Sequence, residues 1–413
     1  MRGFALFLIA ISSTAFAQVS NYKLAEHDGA VFPGAAIAVS PRNNKNIVAY
    51  AAGKIMYSND AGVTWKQSAS AIADASGTPS LTGDSKGNFH FVYSNAAFSQ
   101  VLTINSSDDG KTWSQPAIVS DLPGKDKFDV RISSHPKREE FFVTWNQANK
   151  YGVKDDSCKS NVVFSTSGGK KWSKPVQISQ TSGNCLDGDF TVRGSMASVA
   201  FDSKIFVLWA SQGYIFYDRS YDGNMWLSND LAIVEQVDGW RTVIPGFGEI
   251  SNVPVIGNDN SPSRLMGTIY MIYSDNKSGE HDSDIWMMRT SNRGDNWTTP
   301  ARVNQDEPGR EQFLPKIAID PANGWVYIVY YDRRNYADNQ TDVYLAWSVD
   351  GGNQFKEKKI NEKPFTPVLD AKGNMTEYIG LSAQKGILVP VWTAFNGSKQ
   401  EVWTAVLKEV DLK

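Results

Sequence analysis

The sequence predicts an all-β chain folded as a β-propeller of seven four-stranded blades, six being the alternative count. Three observations predict it. An eight-residue pattern, S-x-D-x-G-x-T-W, recurs in six copies along the chain. Seven short runs of β-branched and aromatic residues recur with it. The third is composition: 13 Trp within a 12% aromatic content suit repeated β units better than helices.

The pattern explains itself as a tight turn. Full copies stand at 58–65 and 106–113, and weaker ones at 165–172, 219–226, 290–297 and 348–355. Gly supplies a backbone conformation that costs other residues energy. Asp with Ser or Thr hydrogen-bonds nearby backbone groups and closes the turn. Trp buries a large plate beneath it. The expected place for such a turn is between the last two strands of a blade, with a ligand loop as the less favoured alternative.

The strand runs are 46–50, 89–93, 141–145, 205–209, 269–273, 326–330 and 387–392. Seven runs against six turns leave one unit incomplete. It has a first strand near 378–382, a second ending at Trp392 and a third near 401–407, and the turn pattern is then missing. Residues 18–25 are expected to supply its fourth strand, so that the two chain ends pair and no sheet edge stays open. No long linker or low-complexity tract interrupts the repeats, so 18–413 reads as one domain.

Residues 1–17 read as a cleavable signal peptide. Arg2 precedes an apolar run at 4–10, and Ala15-Phe16-Ala17 offers a small-residue cleavage site before Gln18. The run is too short to span a bilayer, so no membrane insertion is expected. A secreted or periplasmic location follows. In an oxidising compartment the only two cysteines, Cys158 and Cys185, are expected to form a disulfide, with two buried thiols as the alternative. The balance of 41 basic against 44 acidic residues, a net charge of −3, gives no global field for nucleic acid or anionic membrane. Four scattered His and two Cys provide no metal-ligand set, so no cofactor is expected beyond a structural Ca²⁺. Phosphate loops, nucleophile elbows and H-E-x-x-H are absent from the sequence.

The turns resemble the Asp boxes of the sialidase-like (BNR-repeat) propellers, and the resemblance covers nearly all of the chain after residue 17. Asp187-Gly188-Asp189, Gly239-Trp240-Arg241, 282–286, 331–335, 341–344 and 377–380 are similar to stretches of secreted bacterial proteins labelled exo-α-sialidase or BNR-repeat glycosyl hydrolase. The resemblance implies a glycoside hydrolase acting on an acidic sugar. The Arg-Ile-Pro stretch of true sialidases, which supplies one of three arginines clamping the sialate carboxylate, is replaced here by 33–39, which holds no Arg. The alternative is a non-catalytic propeller that binds glycan or an extracellular protein.

A propeller gathers the loops before each first strand, and those joining second to third strands, on one face of its channel. Sorted this way, Arg131, Arg193, Arg241, Arg310, Arg333 and Arg334 all fall on that face. Guanidinium forks suit bidentate capture of a sugar carboxylate, and the alternative is pairing with neighbouring Asp. Candidate catalytic groups are Asp187 with Asp189, Asp332 with Tyr331, and Glu377 with Tyr378, since sialidases use Tyr as nucleophile beside a carboxylate. The alternate spacing of Asp187 and Asp189, and of Asp282 and Asp284, allows a catalytic pair, a Ca²⁺ site or a turn network. Trp240 is a candidate for stacking on a sugar ring.

Overall fold

The computed structural model describes residues 19–28, 34–70, 72, 75–155, 157–167, 171–368 and 379–412. Residues 1–17, read above as a signal peptide, and Glu377 and Tyr378 lie outside the described residues. Seven antiparallel sheets, each of four or more strands, form a β-propeller. Their innermost strands are Ala35–Val39, Ala75–Gly83, Asp126–Ser134, Arg193–Val199, Val255–Asn258, Gln312–Ile319 and Ile379–Gln384, which define blades 1 to 7 in chain order. Each touches the next, and that of blade 7 touches that of blade 1, so the ring is complete. The described residues contain no α-helix, only a short 3-10 segment at Glu409–Leu412.

The second strands make the core. Every residue of Ile205–Ser211, Ile269–Asp275 and Val326–Asp332 is buried. Both faces of a blade are covered by neighbouring blades, so these strands read as unbroken apolar runs rather than as alternation. Tyr270, Ile272 and Ile285 of blade 5 meet Ile317, Ile328 and Tyr330 of blade 6 in one such layer. Tyr327, Val329 and Tyr331 meet Leu388 and Trp392 of blade 7 in another.

The turns work as their residue types dictate. In the first, Gly62 N donates to Ser58 Oγ (2.8 Å), Thr64 N to Asp60 Oδ1 (2.9 Å) and Trp65 Nε1 to the Gly62 carbonyl (3.1 Å). The second repeats each bond through Ser106, Asp108, Thr112 and Trp113. Gly110 has φ 87° and lies against Val48 of blade 1, so a side chain there would be both strained and obstructed.

Closure follows the expected route. Asn21–Asp28 pairs antiparallel with Lys399–Ala405 as the outer strand of blade 7, with a bulge between Lys23 and Ala25. After it, Leu407–Lys408 adds to the start of Ile387–Asn396, and Leu412 is buried in the layer between blades 6 and 7. Among the described residues one sheet stands outside the blades. Between blades 4 and 5 the chain forms a hairpin, Arg241–Ile244 with Gly248–Ser251.

Candidate functional site at the channel mouth

The inner strands carry the irregularity that builds the site. Those of blades 2, 3, 4 and 6 each break register partway along, between Ser76 and Ser80, Phe128 and Arg131, Arg193 and Met196, and Phe313 and Lys316. A residue within each break has positive φ: Gly77 (68°), Asp129 (50°), Gly194 (68°) and Leu314 (56°). A bulge bends the strand and re-aims its side chains. Beyond it, Arg131 of blade 3 and Lys316 of blade 6 stand at matching positions and line the same cavity, of about 600 Å³, at the channel mouth. Its floor includes Ala36, Ile37, Leu81, Val255, Ile317 and Leu381.

Arg193 is the hub of the polar wall. Its side chain is 14% exposed, against 6% for Asp129. Its Nε donates to Asp129 Oδ2 (2.6 Å) and its Nη2 to Asp129 Oδ1 (3.2 Å), while Nη1 donates to Tyr151 Oη (2.6 Å) and Asp187 Oδ1 (2.5 Å). The guanidinium also lies 4.8 Å from the Trp240 ring centre and 5.5 Å from those of Phe128 and Tyr151. Burial alone would raise the Asp129 carboxyl, but the Arg193 charge and hydrogen bonds hold it below its ordinary range. Burial raises the Tyr151 phenol well above its ordinary value, against the smaller effect of Arg193, so it stays protonated and can donate.

Two loops deliver Tyr151 and Asp187, and a disulfide joins them. Cys158 and Cys185 are bonded across a separation of 27 residues and are buried with Phe128 and Ala148. Gly152 N donates to the Cys185 carbonyl (2.7 Å), and Tyr151 N to Asp126 Oδ2 (2.8 Å). Gly194 must be glycine, since its φ is 68° and Val253 fills the space a Cβ would need.

The remaining residues singled out in the sequence are scattered. Arg131 lines the cavity and donates to the Thr78 carbonyl (2.8 Å) and hydroxyl (2.7 Å). Arg241 stands at the edge, donating to Glu249 and to the Asp187 carbonyl. Asp189 turns away from Asp187: its Oδ1 accepts from Arg241 N (3.2 Å). The two lie in a bend rather than a strand, so the two-residue period does not align them. Trp240 is 2% exposed and donates to the Thr191 carbonyl (3.1 Å), which leaves it supporting Arg193 and not facing the cavity.

The others lie on blades 5 and 6, and none of them lines the cavity. Arg334 donates to Asp332 (2.8 Å) and Glu357 (2.7 Å) and lies 4.3 Å from the Tyr344 ring centre. Burial raises the Asp332 carboxyl to about 6 even so. Tyr331 is fully buried and donates to the Thr393 carbonyl of blade 7 (3.0 Å), so it points into the core and not with Asp332. Arg333 is 1% exposed, donates to the Pro245 carbonyl, and is lowered by burial to about 10. Arg310 donates to the carbonyls of Tyr336 and Asp338. Asp282 and Asp284 accept from Gly309 N (2.7 Å) and Asn304 Nδ2 (2.6 Å) within loop networks. Among the described residues, no group of three His, Cys, Asp or Glu is placed to hold a metal ion.

Asp129, Tyr151 and Lys316 were not singled out as site residues in the sequence, where Glu249 counted as one of several channel-face carboxylates without an assigned role. Asp129 and Tyr151 fall in the channel-face loops, but the bulge that turns Asp129 inward leaves no residue-type signal.

No family profile and no curated protein matches the chain. Solved structures do. A protein of unknown function from Dyadobacter fermentans DSM 18053 is 12% identical with a TM-score of 0.53, covering 95% of this chain and 98% of that one. Hadza microbial sialidase Hz136 is 12% identical with a TM-score of 0.51, covering 88% and 75%. The Penicillium chrysogenum α-L-arabinanase, solved with arabinobiose, is 13% identical with a TM-score of 0.51, covering 80% and 93%. At such identities the likeness establishes a shared propeller fold.

Proposed function

We propose that the protein is a glycan-active enzyme, a sialidase-like glycoside hydrolase acting on an acidic sugar at the channel mouth. The observation that carries this reading is the cavity wall where Arg193 gathers Asp129, Tyr151 and Asp187 from blades 3 and 4, with Arg131 and Lys316 lining the same space. Arg131 and Lys316 receive the anionic substituent of the sugar. Asp187, 37% exposed, serves as the general acid or base, oriented by Arg193 and the protonated Tyr151. Two of the solved propellers of this fold are named as a sialidase and an arabinanase, which supports a carbohydrate ligand. We read the turns as Asp boxes and residues 1–17 as an export signal, so the protein acts outside the cytoplasm. The Cys158–Cys185 bond supports that location.

A non-catalytic glycan-binding propeller is the second reading. It is favoured by the pairing of Arg193 with Asp129, Arg241 with Glu249, and Arg334 with Asp332 and Glu357, which satisfies guanidinium groups internally. Incubation of the purified protein with sialylated, uronate-containing and arabinose-containing glycans separates the two. The enzyme releases sugar, and Asp187→Asn abolishes release without lowering the melting temperature. Binding without release supports the second reading, and neither binding nor release overturns both.

A further inference from the structure

The hairpin Arg241–Ile244 with Gly248–Ser251 is the one sheet outside the blades among the described residues. Alternation along its strands divides it into two faces. Ile244 and Ile250 join Phe247 of its tip in the apolar layer between blades 6 and 7. The cross-strand pairs Arg241–Ser251 and Val243–Glu249 occupy the other face, where Val243 is 59% exposed and Glu249 and Ser251 line the cavity. The base is tied to the loop entering blade 4, through Trp240 on Thr191 and Arg241 on Asp187 and Asp189. The tip reaches blade 6. The hairpin is therefore a strap between two parts of the ring.

The tip is latched. Phe247 is fully buried, with its ring centre 4.6 Å from that of Phe313 and 5.7 Å from that of Tyr331. The Arg333 guanidinium lies 5.4 Å from the same ring centre and donates to the Pro245 carbonyl beside it. Gly246, with φ 71°, is pressed against Asn339. Glu249 stands on the opposite face from this latch. Its Oε2 accepts from Arg241, whereas its Oε1 receives no hydrogen bond among the described residues. A carboxylate oxygen accepts and never donates, so what it recognises is an O–H or N–H.

We infer that Glu249 is a specificity-determining residue that accepts a hydrogen bond from a hydroxyl of the bound sugar, and that the Phe247–Arg333 latch sets its position from blade 6. This deepens the glycan reading above and rests on it. The test is Glu249→Gln, Phe247→Leu and the double variant, assayed on whichever glycan the wild type cleaves, or by dissociation constant where it only binds. Glu249→Gln raises KM about tenfold and leaves kcat within about twofold, since a charge-assisted bond made equally to substrate and transition state is lost. Phe247→Leu raises KM in the same direction, and the double variant is no worse than Glu249→Gln, because both act through one contact. Arg333→Lys, which keeps the charge but not the planar fork, repeats the Phe247→Leu effect. An unchanged KM in Glu249→Gln overturns the specificity role. Effects of Phe247→Leu and Glu249→Gln that multiply overturn the latch. A wild-type protein that binds and cleaves no glycan overturns the glycan reading and this inference with it. Amide exchange across 241–251 decides the latch without a ligand: Phe247→Leu speeds exchange there and spares the blades, and uniform or unchanged exchange removes it.

Discussion

Replacing Arg193 by Met leaves Asp129 buried and ionised without its partner. The side chains are 14% and 6% exposed, so solvent does little to screen the loss. Removing one member of such a pair costs about 3–5 kcal/mol. With an unfolding entropy of about 2.1 cal/mol/K per residue, a chain of this length loses on the order of 4–6 °C of melting temperature at pH 7. The pH dependence is the sharper part. In the wild type the Asp129 carboxyl is held below its ordinary value, so it adds stability above pH ~4 and loses it on acidification through the folded pKa. In Arg193→Met burial is opposed only by the more distant Arg131 charge and the Gly194 N–H, so the Asp129 carboxyl rises and the variant carries a penalty at pH 7 that protonation relieves. The gap between the two proteins is therefore widest near pH 7 and closes toward pH 4. Differential scanning calorimetry of both proteins across that range measures it, and Arg193→Met/Asp129→Asn recovers part of the loss at pH 7. A gap that stays constant or widens on acidification refutes the reasoning.

Asp218 tests the opposite sign. It is fully buried, its Oδ2 has no hydrogen-bond partner among the described residues, and burial raises its carboxyl to about 7. The wild type gives up this contribution as pH rises from ~4 through 7. Asp218→Asn therefore melts higher than wild type at pH 8 and no higher at pH 4. The gain is roughly 1–2 kcal/mol, the relieved ionisation less the cost of one unpaired amide. Removing the disulfide in Cys158→Ser/Cys185→Ser frees a 27-residue loop and costs about 3.5 kcal/mol in denaturant unfolding. A loss under ~1 kcal/mol would show that the surrounding hydrogen bonds hold the two loops unaided.

The architecture was legible because it repeats. Seven unbroken apolar runs stood for seven second strands, and the missing seventh turn marked where the chain ends meet. Asn21–Asp28 occupies the outer strand of blade 7, displaced by about three residues from the expected 18–25. The site was less legible, for local reasons. The positive φ of Asp129 and Leu314 follows from a bulge in the inner strand, and neither residue type announces one. The Arg193–Asp129 pair joins residues 64 apart in sequence. The hairpin bearing Glu249 read as a loop, because its strands are only four residues long. Trp240, Tyr331 and Arg333 were on the expected segments, but their side chains turn into the protein, where the carbonyls of Thr191, Thr393 and Pro245 accept their hydrogen bonds.

In the proposed site a sugar binds where Arg193 gathers its partners. A crystal structure of Asp187→Asn with the glycan that the wild type cleaves or binds best tests it directly. The expected structure has the ring in the channel-mouth cavity, its anionic group within hydrogen-bond reach of Arg131 or Lys316 and the Arg193–Asp129 pair intact. A sugar held on the turn face or between blades, with only solvent at the channel mouth, would contradict it.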